Sequence, residues 1–84
     1  YTLIDRATFL ALKDKYQLVS MVEGDASLLN PYGVIAISKD KYPNTNFDGA
    51  NAFIDWITSE KGQKMIGEFG VDQYGQQLFV PDAK

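Results

Sequence analysis

Between Thr2 and Thr8 the chain sets two hydroxyls and a guanidinium, that of Arg6, within seven residues, at a point where an extended run passes into a helix. That is equipment for holding an anion. A helix N-terminus offers unpaired N–H groups and the positive end of the peptide dipole, and Arg6 can donate a bidentate pair of hydrogen bonds. Thr2 and Thr8 can each donate a hydroxyl hydrogen. A tetrahedral oxyanion such as sulfate, phosphate, molybdate or tungstate accepts such donors at every corner. The same residues also have a plainer reading, in which Asp5 caps the helix, Arg6 pairs with Asp5 or another surface acid, and Thr8 binds water on the first turn. An adjacent carboxylate repels a dianion unless the helix cap or the arginine engages it.

The other polar constellations carry less. Glu23, Asp25 and Asp40 could suggest a cation site or a pair of catalytic acids, but their spacing matches no calcium loop, and they sit among Gly, Ser and Lys as solvated loop acids do. Asp48, Asp55, Glu60 and Glu68 fall on outer helix faces. The turn Asn30-Pro31-Tyr32-Gly33 reads as a loop-to-strand junction, or as a crossing between lobes at which Tyr32 lines a cleft. With no histidine and no cysteine in 84 residues, the chain has no thiolate nucleophile, no Ser-His-Asp relay, no imidazole or thiolate zinc site and no disulfide. A net charge of −3 without a Lys/Arg cluster speaks against a nucleic-acid surface. No stretch reaches the roughly 18 apolar residues of a membrane span, and no basic segment followed by an apolar core marks a signal peptide.

The elements that must position Arg6 follow from propensity and caps. Tyr1–Ile4 is β-prone, and Ala7, Leu10, Ala11, Leu12 and Lys13 favour a helix from Arg6 to about Lys15 with Asp5 at its N-cap. Gln17–Val22 reads as a strand. Gly33–Ile37 is a nearly continuous apolar run, as expected of a strand buried on both faces at a sheet centre. Ala50, Phe53, Ile54 and Ile57 repeat at i, i+3, i+4, i+7 behind an N-cap at Asn46, with Phe47, Phe53, Trp56 and Phe69 assigned to the core. Ser59 caps a second helix ending at Gly70, and Leu78–Val80 forms a short strand stopped by Pro81. Strands alternating with helices predict an α/β fold, with a thin sheet whose edges lack cover.

Three stretches resemble the C-terminal part of class II periplasmic solute-binding proteins, most closely the tungstate-binding proteins of bacterial ABC importers. They are Tyr-Thr-Leu-Ile-Asp-Arg-Ala-Thr (1–8), Val-Glu-Gly-Asp-Ala-Ser-Leu-Leu-Asn-Pro-Tyr-Gly-Val-Ile-Ala-Ile (22–37) and Phe-Ile-Asp-Trp-Ile-Thr-Ser-Glu-Lys-Gly-Gln-Lys-Met-Ile-Gly-Glu-Phe-Gly (53–70). The last is common to many oxyanion and amino-acid binders; the first two are narrower. The resemblance implies a partial class II periplasmic-binding-protein fold of α/β type, completed by missing chain or by dimerisation. Residues 1–31 would end the second lobe with the strand-to-helix anion junction, and residues 32–84 would carry the hinge crossing and the C-terminal helices of the first lobe. Thr2, Arg6 and Thr8 resemble cleft-facing donors, with Asp5 as cap and arginine orienter and Tyr32 at the lobe crossing. Ile4 stands where the family more often has Thr, which removes a donor, and Ala7 where it more often has Gly.

By the same resemblance the chain would serve as the substrate-binding component of an ABC importer, periplasmic or on the outer face of the cell envelope. It would have no cofactor and no catalytic role, with tungstate or molybdate as ligand and the membrane permease as partner. A sensory domain for another small anion, such as molybdate, sulfate or phosphate, is the alternative, and an enzyme fragment resembling a porphobilinogen-deaminase lobe is a more distant one. Further ligands to the anion, including a hydroxyl-rich motif near the mature N-terminus, would lie in the remainder of the same binding protein.

Overall fold

The computed structural model describes all 84 residues. Four α-helices order the chain: α1 (Arg6–Leu12), α2 (Phe47–Ile57), α3 (Glu60–Glu68) and α4 (Val71–Tyr74). Short 3-10 turns occupy Lys13–Lys15 and Ala26–Leu28. Each longer helix begins where a side chain can satisfy its first N–H groups. Asp5 caps α1, Asn46 accepts from the Gly49 N–H at 2.9 Å to cap α2, and Ser59 accepts from the Gly62 N–H at 3.1 Å to cap α3. Gly70, at φ +74°, takes the left-handed turn that ends α3 and opens α4.

The expected α/β fold is not present. Residues 1–5, 17–22, 33–37 and 78–80 contain no strand, and no sheet forms. A strand exists only through a ladder to a neighbour, and these runs have none: outside the helices, no backbone–backbone hydrogen bond joins residues more than four apart. β-Propensity supplied apolar runs of the right length, but no second run lies alongside any of them. Val34, Ile35 and Ile37, expected at a sheet centre, stand 45%, 87% and 55% exposed.

The core is correspondingly small. Only Leu10 and Gly62 are buried. Phe53, Trp56 and Phe69, assigned to the core from their spacing, are each about half exposed or more, and Phe47 is half-buried. Helical periodicity fixes which residues share a face, and here the face has too little opposite it. The Cα radius of gyration of 16.7 Å exceeds the roughly 12 Å of a compact chain of this length, and the molecule extends over 49 × 28 × 26 Å.

The tightest packing joins α2 to α3. A Cβ at Gly62 would collide with the Trp56 carbonyl oxygen and come within 3.0 Å of the Ile57 carbonyl oxygen, so the corner closes only around glycine. Gln63 donates from Nε2 to the Ile57 carbonyl at 2.8 Å, and its Oε1 accepts from the Ala83 N–H at 3.0 Å, which fastens the C-terminal tail to α3. Pro81 lies against Gly67, and the Phe69 and Phe79 rings meet with centroids 6.2 Å apart.

Candidate functional site

The junction at the start of α1 is built around one carboxylate oxygen. Asp5 Oδ2 accepts from the Thr8 backbone N–H and from the Thr8 hydroxyl, both at 3.0 Å. These two bonds, the backbone one first, hold the Asp5 carboxyl below its ordinary value and keep it ionised at neutral pH. The cap therefore engages the acid that adjoins Arg6 in sequence. It also engages Thr8, whose hydroxyl hydrogen points at Asp5.

Arg6 pairs with Glu23 rather than with its neighbour Asp5. Its Nη2 lies 3.6 Å from Oε1 of Glu23, and the other oxygen of that carboxylate, Oε2, accepts from the Ser20 hydroxyl at 2.9 Å. Both charged side chains are substantially exposed, 42% for Arg6 and 62% for Glu23. Thr2 is exposed and makes no hydrogen bond. Tyr32 is 74% exposed, and its hydroxyl accepts only from Asn30 Nδ2, at 3.4 Å.

The structure thus gathers Asp5, Arg6 and Thr8 in one turn and leaves Thr2 and Tyr32 unconnected to them. Sequence reasoning missed the pairing of Glu23 with Arg6, since it placed Glu23 with the solvated loop acids. The available signal was that the single guanidinium of the chain needs a counter-ion and that Asp5 is already the helix cap.

Two apolar clefts flank α1. One, of about 140 Å³, is lined by Ile4, Phe9, Leu12, Tyr16 and Leu18 with the stem of Lys13. The other, of about 510 Å³, runs from Ala7, Thr8 and Ala11 on α1 to Phe69, Tyr74 and Leu78. Both linings are mainly hydrophobic, and Arg6 lies outside them. No group of three or more acids converges as a metal site would require, and no helix is long and apolar enough to cross a membrane.

Comparison with known proteins gives this junction its context. A family model described as a PBP superfamily domain matches residues 1–61, and the chain belongs to that superfamily. Among its relatives, a tungstate-binding protein of Peptoclostridium acidaminophilum is 49% identical over 83 residues, which cover 99% of this chain and 29% of the relative. A tungstate-binding protein of Campylobacter jejuni is 41% identical over 98% of this chain and 31% of its own length. A putative ABC transporter anion-binding protein of Haloferax volcanii is 42% identical over 99% of this chain and 25% of its own. The chain thus spans between a quarter and a third of the length of these relatives, all of which are named as binding proteins. No solved structure matches it.

Proposed function

We propose that this chain belongs to the substrate-binding component of an ABC importer that captures a tetrahedral oxyanion, tungstate in particular, and presents it to a membrane permease. The observation that carries this reading is that relatives named for tungstate or anion binding align along essentially the whole chain, at 41–49% identity. The donor set supports it. Arg6 supplies charge-assisted hydrogen bonds, Thr2 a free hydroxyl, and the first turn of α1 its remaining N–H groups, while Thr8 works through the cap it forms with Asp5.

In this reading residues 1–31 belong to one lobe and residues 32–84 carry the crossing and the helices of the other, with Tyr32 at the boundary. The remaining ligands lie on other parts of the protein, and lobe closure around the anion forms the state that the permease recognises. The site needs no cofactor, and delivery to a permease places the protein on the outer side of the membrane. No observation supports a dimer of this segment.

Selectivity against phosphate follows from protonation. Tungstate is fully deprotonated at neutral pH and offers only acceptors, so an unengaged carboxylate in the site penalises it, whereas a protonated phosphate can donate to one. The Asp5 cap meets that requirement by keeping both Thr8 donors on its Oδ2. Calorimetric titration of the full-length protein with tungstate, molybdate, sulfate and phosphate tests the reading. Tungstate is expected to bind most tightly, with molybdate near it. Binding of sulfate or phosphate in preference to both would refute it.

A further inference from the structure

The contact between Arg6 and Glu23 has a feature that the anion-site reading leaves unexplained: a carboxylate already sits on the arginine. Three observations define its character. The contact is single, from Nη2 alone at 3.6 Å, not the bidentate fork of a strong arginine–carboxylate pair. Both partners are well solvated, which places the pair among exposed bridges that contribute little. Glu23 is also held from behind by the Ser20 hydroxyl at 2.9 Å, so its carboxylate has a second anchor when it leaves the guanidinium.

Such a pair is too weak to hold the guanidinium rigidly, yet it neutralises the single arginine of the chain. From this geometry we infer that Glu23 is an intramolecular counter-anion: it occupies Arg6 in the unliganded state and yields it to the incoming oxyanion, retreating onto Ser20. The inference rests on the reading of Arg6 as an anion ligand. An oxyanion approaching Arg6 meets a negative charge within about 4 Å of the donor it needs, and a dianion is opposed more strongly than a monoanion. Glu23 thereby sets a threshold that only a ligand with several further donors around it overcomes. A carboxylate that merely positioned Arg6 would remain on it in the complex, and its loss would weaken binding.

The two roles predict opposite signs for one substitution. In the full-length protein, Glu23→Gln keeps the size and the hydrogen-bonding capacity of the side chain but removes its charge, and the residue is exposed enough to leave folding intact. Tungstate affinity measured by calorimetry is expected to rise about two- to fivefold, the range that an exposed ion pair can contribute. In an Arg6→Ala background the same change is expected to give a smaller rise, because no pair is left to break and only the like-charge repulsion remains. If Arg6→Ala weakens binding while Glu23→Gln leaves it equal or weaker, the counter-anion role is wrong and Arg6 remains a ligand. If Arg6→Ala has no effect on affinity, both the Arg6 assignment and this inference fall.

Discussion

Residues 46–84 and residues 1–45 are of similar length but are held together in different ways. The C-terminal part carries α2, α3 and α4, each opened by a cap or a left-handed glycine, with a tail fastened by Gln63 and Pro81. The N-terminal part carries α1 and two 3-10 turns, and around them Leu18, Val19, Met21, Val22, Leu29 and Ile35 stand exposed. Its side-chain hydrogen bonds join residues two or three apart, and the Arg6–Glu23 bridge is the long-range ion pair that reaches across it. The comparison separates two kinds of order. Capped helices are fixed by neighbours in sequence, whereas apolar β-prone runs are ordered only by partners that lie far away in it.

The largest effect that would test this contrast is at the α2–α3 corner. Gly62→Ala would ordinarily gain roughly 0.5–1 kcal/mol in a helix, but the methyl meets two backbone carbonyls, and overpacking of that kind costs about 1–3 kcal/mol. A net loss is expected, read as a lower melting temperature for the full-length protein. A gain would show that the corner is not as close as described. Next in size, Ser59→Ala removes the α3 cap and should cost about 1 kcal/mol, with helix content by circular dichroism falling in the same variant. An unchanged melting curve would mean that another group satisfies the Gly62 N–H.

The smallest expected effect lies in the other half. The Asp5 carboxyl is held below its ordinary value of 3.8 by the backbone and hydroxyl of Thr8. A depressed native value means that the cap's contribution to α1 is fully present above about pH 4 and is lost as the pH falls through that lowered value. Titration followed by NMR at the Asp5 side chain and the Thr8 amide should give coincident transitions below 3.8. A transition at or above 3.8 would remove the cap from the account of α1.

The same division governs what the sequence made legible. Asp5, Asn46 and Ser59 were readable as N-caps, and the kink at Ser59 and the turn at Gly70 followed from residue type alone, because each acts within four residues. The strands were not, because Gly33–Ile37 has the composition of a buried strand whether or not a neighbour pairs with it. The burial of Phe53 and Trp56 failed for the same reason: a stripe defines a face without defining what covers it. At the candidate site, Arg6 and the Asp5 cap were visible as local features, and the Glu23 partner, seventeen positions along the chain, was not. The motif words of residues 1–8 and 22–37 identified the family where the fold expectation went astray.

In the proposed function Arg6 joins both kinds of order, because it is a locally positioned side chain whose partners come from far along the chain. The most direct measurement is the tungstate affinity of the full-length protein before and after Arg6→Ala. Loss of a charge-assisted hydrogen bond should weaken binding by about 1–3 kcal/mol, or roughly 5- to 150-fold, with the melting temperature unchanged. An affinity equal to that of the unsubstituted protein would contradict the assignment of this junction to the anion site.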